Sequence, residues 1–246
     1  MSHRAATVQV LRDGEAIARA LAETFTRTAS ESILERGSFS VALSGGNTPR
    51  AAYRLLSRER SQLDWGKVFV YFGDERCVPP DDPASNYRMA REAFLDAVPI
   101  PSVNVFRMAG EIDPGMAANE YASKLRAGLG NVPHFDLVLL GLGEDGHTAS
   151  LFPGTAPDVD GTSLVRAVYA QAQEMWRITI TPPVINAARS VVFAVEGAAK
   201  ALAVAAVLEG PHDPVALPAQ IVQPKSGPPI WLVDEAAASL LHEVSG

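Results

Sequence analysis

The sequence predicts an α/β protein with a mainly parallel, twisted sheet and helices on both faces. Short apolar runs typical of buried strands alternate, along the 246 residues, with segments whose apolar residues recur at helical spacing. The run from Leu137 to Leu140 has four aliphatic residues in succession, which is typical of a parallel strand covered on both faces. The even spread of these segments favours a single α/β domain over residues 1–246.

The first predicted helix begins after Asp13, whose carboxylate suits an N-cap. Apolar residues recur every four positions from Ile17 to Phe25, and Gly37 follows the last turn. The apolar run 39–43 then predicts a strand.

A loop of small residues, Ser44 to Thr48, joins this strand to the second predicted helix. Thr48 is placed as the N-cap and Pro49 as the first helical residue of a helix that continues through Leu56. The loop therefore follows the carboxyl end of a strand, which is where open parallel sheets bind their ligands.

The alternation continues to the end of the chain. Further strands are predicted at 68–72, 103–106, 135–140, 164–168, 177–180, 191–195 and 230–233. Further helices are predicted at 86–95, 117–125, 185–188, 198–208 and 235–241. The helix at 198–208 is rich in alanine and is closed by Gly210 and Pro211.

Composition and charge exclude several classes of protein. A formal charge of −7 argues against a nucleic-acid partner, and no apolar run is long enough to span a membrane. The first residues lack the apolar core of a secretory signal, so a cytoplasmic location is expected. Cys77 is the only cysteine and is interpreted as incidental rather than as a nucleophile. A monomer or a weak homo-oligomer is expected, and since no helical face is conspicuously apolar on its outer side, the sequence leaves the choice between them open.

The most informative motif runs from Gly141 to Pro153, directly after the aliphatic strand. Its glycines let Asp145 and His147 turn together into the crevice at the end of that strand. An ordinary imidazole changes protonation near neutral pH, so His147 is the side chain best suited to take a proton from water. The glycine spacing also fits a dinucleotide fingerprint, but Pro153 interrupts the helix which that fingerprint would have to open.

The loop Ser44 to Thr48 has two interpretations. Gly45 and Gly46 let the backbone approach an anion, and the hydroxyl groups of Ser44 and Thr48 add donors, which suits a phosphate cradle. A simple tight turn with an N-cap explains the same residues, since the lysine of a P-loop is missing.

Four further charged residues are candidates for the same crevice. Asp74 and Arg76 follow the strand at 68–72 and could project into it, although charges at a strand end are often only solvated. Arg177 begins a strand and Lys200 lies in the first turn of a helix, and either could be an ordinary surface cation. A cation in a first turn opposes the helix dipole, an arrangement that a bound phosphate would relieve.

Seven segments, in order along the chain, resemble the glucosamine-6-phosphate isomerase/6-phosphogluconolactonase family, and most closely its lactonase branch. They are 44–49, 72–76 with 85–87, 141–153, 177–181, 185–189, 197–200 and 231–237. The resemblance implies the Rossmann-like fold of that family and hydrolysis of 6-phosphoglucono-1,5-lactone to 6-phosphogluconate, without a metal or organic cofactor. The expected partner is a phosphorylated sugar lactone.

The resemblance also implies roles for individual residues. His147 would activate the attacking water with Asp145 beside it, and Arg76 would face the lactone or the phosphate. Arg76 and backbone N–H groups of the glycine loop are the candidates for stabilising the oxyanion. The residues implied in substrate or phosphate binding are Ser44, Gly45, Gly46, Thr48, Asp74, Arg76, Gly143, Arg177 and Lys200.

Two alternatives remain at the level of sequence. In the deaminase branch of the family an acidic residue follows the histidine and assists ring opening, whereas here the stretch from Thr148 to Pro153 has no carboxylate. Related folds also serve as sugar-phosphate sensors in transcription regulators. A sensor would need a DNA-reading module, and no helix-turn-helix precedes the helix that starts near Asp13.

Overall fold

The computed structural model describes residues 6–58, 63–155 and 163–242, which fold around two sheets. The larger sheet has six parallel strands in the order β1-β9-β8-β5-β2-β3 within these ranges. Its strands are β1 Thr7–Leu11, β2 Phe39–Leu43, β3 Val68–Phe72, β5 Leu137–Leu140, β8 Val191–Val195 and β9 Ile230–Asp234. The smaller sheet is antiparallel, in the order β4-β7-β6, with β4 Asp74–Arg76, β6 Val165–Ala170 and β7 Met175–Ile180. The predicted α/β fold with a mainly parallel sheet is confirmed.

Helices connect the strands. They are α1 Gly14–Arg36, α2 Asn47–Arg58, α3 Asn86–Ala90, α4 Pro114–Leu129, α5 Pro182–Asn186 and α6 Ala201–Leu208, and a π-helical turn at Arg91–Leu95 extends α3. Asp13 caps α1 as predicted, because its carboxylate accepts a hydrogen bond from the Ala16 N–H, and Gly37 ends the helix in the left-handed conformation.

The centre of the larger sheet forms the core. Every residue of β2, β5 and β8 is buried, which confirms that the aliphatic run 137–140 is covered on both faces. Gly73 joins the two sheets, since its N–H donates to the Leu43 carbonyl and its carbonyl accepts from the Ile180 N–H. The smaller sheet is therefore fixed against the carboxyl ends of the parallel strands.

Some predicted elements are wrong. The strand expected at 103–106 is instead a 3-10 turn, Ser102–Asn104, followed by a single bridge between Val105 and Val70. The helix expected at 235–241 is a series of turns: the Ala238 N–H makes one helical bond to the Asp234 carbonyl, and the Ser239 and Leu241 N–H groups then bond carbonyls only three residues back. Strand β1 was not predicted; it pairs with β9 from the other end of the chain.

Two corrections concern the predicted ligand edge. Helix α2 begins at Asn47, so Thr48 lies in its first turn and is not its N-cap; the Arg50 N–H already donates to the Gly46 carbonyl. Residues 74–76, expected in a loop, form β4, because β7 supplies an antiparallel partner for them. No helix within the described ranges is long and apolar enough to cross a bilayer.

Candidate active site

A cleft of about 580 Å³ opens where β2, β5 and β8 end and the smaller sheet begins. Ten of the residues predicted for the site line it, namely Ser44, Gly45, Gly46, Thr48, Asp74, Arg76, Gly143, His147, Arg177 and Lys200. Asp145 is the exception, since it contacts the cleft only through His147. The fold thus brings segments far apart in the sequence to one edge of the sheet.

The turn after β5 holds the imidazole of His147 against the carboxylate of Asp145. The ring Nδ1 lies 2.6 Å from Asp145 Oδ1, and the same oxygen accepts from the His147 backbone N–H at 3.1 Å. Gly146 has a φ of +80°, which gives the chain the left-handed turn between the two residues. A Cβ on Gly143 would lie 2.0 Å from His147 Nδ1, so a side chain there would push the two groups apart.

The electrostatics of this pair suit a base. Partial burial raises the pKa of Asp145, but the hydrogen bonds from the backbone and ring of His147 outweigh it, so the pKa lies below its ordinary value. The ionised carboxylate of Asp145 accepts a hydrogen bond from the Nδ1–H group of His147. In a neutral ring with its proton on Nδ1, the lone pair of Nε2 is free. The ring also packs against Phe152, with the ring centroids 4.9 Å apart.

The loop from Ser44 to Thr48 forms one wall of the cleft. Gly46 has a φ of +105°, and a Cβ on Gly45 would lie 2.0 Å from the side-chain oxygen of Asn86, so both positions require glycine. The buried Tyr53 hydroxyl fixes the loop by accepting from the Ser44 N–H at 3.1 Å and donating to the Ser44 carbonyl at 2.9 Å. The loop backbone is therefore open toward the cleft, and Tyr53 holds it from the opposite side.

Two guanidinium groups face each other on the opposite wall. Arg76 of β4 and Arg177 of β7 are direct cross-strand partners. The Nε atoms of both are buried and have no hydrogen-bond partner within the described part of the chain. Burial and then the charge of Arg76 lower the pKa of Arg177. Two adjacent cationic side chains that line the cleft favour binding of an anion there.

The Asp74 carboxylate lies beside these cations and is largely buried. It accepts from the Ser150 hydroxyl at 2.7 Å and from the Asn86 side-chain amide at 3.1 Å, and one oxygen lies 4.0 Å from Arg177 Nη1. Asn86 and Ser150 were missed as site residues, although both lie in segments that carry the family resemblance.

Glu75, the next residue of β4, points away from the cleft and is buried. Its two oxygens accept from the Ser85 hydroxyl and from the backbone N–H groups of Arg76, Asn86 and Tyr87. Burial raises the pKa of Glu75 although these bonds act in the opposite direction. The carboxylate ties β4 to the start of α3 and so positions Asn86.

Lys200 reaches the cleft from a 3-10 turn, Ala198–Lys200, that directly precedes α6, rather than from the first turn of the helix as predicted. Its Nζ lies 3.8 Å from Glu144 Oε1. Glu196, which follows β8, also lines the cleft and accepts from the Thr48 hydroxyl at 3.1 Å. Neither carboxylate was singled out from the sequence, because single charged residues at loop positions give no distinctive pattern.

Residues 6–58, 63–155 and 163–242 contain no group of three or more His, Cys, Asp or Glu side chains close enough to hold a metal ion. Cys77 is half-buried, and burial together with the charge of Glu75 raises the pKa of its thiol to about 11. The thiol is therefore protonated at neutral pH, when it is a poor nucleophile.

Comparisons with known proteins identify the family that this chain resembles. The family described as glucosamine-6-phosphate isomerases/6-phosphogluconolactonase matches residues 12–231. A 6-phosphogluconolactonase from Synechocystis sp. is 46% identical over 231 residues, covering 92% of this chain and 94% of that protein. One from Mycobacterium tuberculosis is 35% identical over 244 residues, covering 96% of this chain and 98% of that protein.

Solved structures extend the similarity to three dimensions. A 6-phosphogluconolactonase from Trypanosoma brucei matches with a TM-score of 0.86 at 30% identity, over 97% of this chain and 99% of that chain. A monomeric glucosamine-6-phosphate deaminase shares the fold, with a TM-score of 0.81 at 23% identity, over 95% of this chain and 99% of that chain. The chain therefore belongs to the glucosamine-6-phosphate isomerase/6-phosphogluconolactonase family.

Proposed function

We propose that the chain is a carboxylic ester hydrolase that converts 6-phospho-D-glucono-1,5-lactone to 6-phospho-D-gluconate, the second step of the oxidative pentose phosphate pathway. The similarity over nearly the full length to proteins named 6-phosphogluconolactonase supports this activity. The observation that carries the mechanism is the His147–Asp145 pair at 2.6 Å, in a cleft that also holds three cations.

The phosphate of the substrate fixes the lactone in the cleft. Arg177, Lys200, the hydroxyl groups of Ser44 and Thr48, and the backbone of Gly45 and Gly46 bind it. Binding of the phosphate, which is remote from the reacting carbonyl, holds the lactone in position for attack by water. Such positioning raises the rate by several orders of magnitude.

His147 then acts as the general base. Water attacks the carbonyl carbon C1 and gives a proton to Nε2, while the carbonyl electrons move onto the oxygen. Asp145 stabilises the imidazolium that forms, since its carboxylate bonds Nδ1. Arg76 and backbone N–H groups of the glycine loop stabilise the oxyanion.

Collapse of this intermediate opens the ring. The carbonyl re-forms, the bond between C1 and the ring oxygen breaks, and the leaving oxygen takes the proton from His147. The product is a carboxylic acid that ionises in water, and the enzyme returns to its starting protonation state. No step calls for a metal or an organic cofactor. On the same proposal the enzyme works in the cytoplasm as a monomer or a weak homo-oligomer.

A coupled assay tests the proposal. Fresh lactone is supplied, 6-phosphogluconate is measured with an NADP-dependent dehydrogenase, and a reaction without enzyme gives the spontaneous rate. His147→Ala is expected to lower turnover by about 10²- to 10⁴-fold, the usual contribution of a general base. His134→Ala is the matched control, since His134 is exposed and bonds the Ala187 carbonyl outside the cleft.

Three results would contradict the proposal. Near-normal turnover by His147→Ala would remove its role as the base. Release of ammonia and fructose 6-phosphate from glucosamine 6-phosphate would favour a deaminase. Binding of sugar phosphates without hydrolysis, together with retention on DNA, would favour a sensor.

A further inference from the structure

Carboxylates from the rim of the cleft contact two of the phosphate donors proposed above. The Thr48 hydroxyl donates to Glu196 Oε2 at 3.1 Å, and Lys200 Nζ lies 3.8 Å from Glu144 Oε1. Both carboxylates are exposed, so neither contact is needed to neutralise a buried charge. The Thr48 hydroxyl has a single proton, so a phosphate that binds it must take that donor from Glu196, whereas a phosphate at Lys200 shares the ammonium group with Glu144.

The carboxylate of Glu196 lies against Gly14 while it accepts from the Thr48 hydroxyl. Its Oε1 lies where a Cβ on Gly14 would stand, at 2.1 Å from the ideal Cβ position, so the absence of a side chain at Gly14 makes room for the carboxylate. Gly14 is the first residue of the 23-residue helix α1, whose N-terminal end favours a negative charge. If the Thr48 hydroxyl turns to a phosphate, the carboxylate therefore still lies beside this end of the helix.

We propose that Glu196 and Glu144 compete with the phosphate for its own donors, and so set how tightly the cleft holds phosphorylated ligands. The inference rests on the proposed function, because it takes the Ser44–Thr48 loop and Lys200 as the phosphate site. In the empty cleft the carboxylates hold Thr48 and Lys200 in place. In the occupied cleft the two carboxylates repel the phosphate group of the ligand and speed the release of the product.

Charge removal is expected to show this competition directly. At a partly solvated site the repulsion between a carboxylate and a nearby anion is modest, so each of Glu196→Gln and Glu144→Gln should tighten binding about threefold to tenfold. The double variant should approach the product of the two factors, because the carboxylates act on different donors. Glu196→Ala, which also removes the acceptor of the Thr48 hydroxyl, should tighten binding at least as much as Glu196→Gln.

Isothermal titration calorimetry with 6-phosphogluconate and with inorganic phosphate measures these affinities without catalysis. Glu23→Gln is the matched control, because Glu23 is an exposed residue of α1 outside the cleft and the substitution changes the net charge equally. Its affinity should equal that of the unmodified protein. A thermal melt of each variant checks that the fold is retained.

The measured affinities distinguish failure of the phosphate site from failure of the competition. If the unmodified protein binds neither 6-phosphogluconate nor phosphate, the proposed phosphate site is wrong. If it binds them and the Glu196 and Glu144 variants bind equally or more weakly, the phosphate site stands and the competition is refuted. An equal gain in Glu23→Gln would also refute it, because the effect would then come from net charge alone.

Discussion

Two buried tyrosines make the same pair of hydrogen bonds, but only one of them supports the cleft. The Tyr53 hydroxyl accepts from the N–H of Ser44 and donates to its carbonyl. The Tyr121 hydroxyl does the same for Phe72, at 2.7 Å and 3.1 Å. Ser44 lines the cleft and Phe72 does not. Tyr53→Phe and Tyr121→Phe therefore separate the stability of the fold from the position of the phosphate loop.

The cost of each substitution follows from burial. Removing either hydroxyl leaves one backbone N–H and one carbonyl without that partner, and an unsatisfied buried group costs about 1–3 kcal/mol. Phe72 is buried, so Tyr121→Phe should lower the free energy of unfolding by about 3 kcal/mol, which is roughly 6–12 °C in Tm for a chain of this size. Ser44 is only partly buried and water can replace part of the loss, so Tyr53→Phe should cost about 2 kcal/mol.

The effect on activity should be the reverse. Without its hydroxyl anchor the Ser44 backbone is less well positioned, so Tyr53→Phe should raise KM about threefold to tenfold with little change in kcat. Tyr121→Phe should keep the KM of the unmodified protein. Urea unfolding and steady-state kinetics of the two variants measure both effects. An unchanged KM in Tyr53→Phe, or an equal rise in Tyr121→Phe, would refute the positioning role of Tyr53.

Three further predictions concern the turn after β5 and the support of β4. Gly143→Ala should lower kcat about 10²-fold or more by separating His147 from Asp145. Gly141→Ala is the control and should lower kcat far less, because its Cβ would lie 3.9 Å from the nearest atom, Ser44 Oγ. Steady-state kinetics compare the two variants, and circular dichroism checks that both are folded. The pKa of Asp145 is lowered in the folded state, so its carboxylate stabilises the protein above the unfolded-state pKa and loses this contribution as the pH falls through the folded-state value. The small difference in unfolding free energy between the unmodified protein and Asp145→Asn should therefore shrink as the pH falls through this range, and a difference that grows toward low pH in urea titrations would contradict this sign. Glu75→Gln should lower the free energy of unfolding by roughly 2–4 kcal/mol, since an amide NH₂ would face N–H and O–H donors; chemical denaturation giving less than about 1 kcal/mol would show that the carboxylate is not needed.

Local chemistry made much of the site predictable from the sequence. A strand that is apolar on both faces, followed by glycines and then Asp145 and His147, indicates a ligand edge and a base without any knowledge of distant contacts. The Ser44–Thr48 loop could be recognised in the same way, although its two interpretations could not be separated by residue types alone. The single-domain organisation stays a prediction.

The errors arose where the outcome depended on a partner far along the chain. Residues 74–76 became a strand because β7 pairs with them, and β1 formed because β9 lies at the edge of the sheet. The alanine-rich segment 235–241 has good helix formers, and Asp234 bonds the Ala237 N–H as an N-cap would, yet after one helical bond the segment forms turns.

The sequence by itself determined the fold class, because periodicity is a local property, and its motifs indicated the candidate base and, through the family resemblance, most of the residues around it. The tertiary structure decided how these residues are used. It set Arg76 opposite Arg177, placed Tyr53 behind Ser44, and brought Glu196 to Thr48 across 148 positions of sequence. Such contacts depend on sheet order and register, which no single segment specifies.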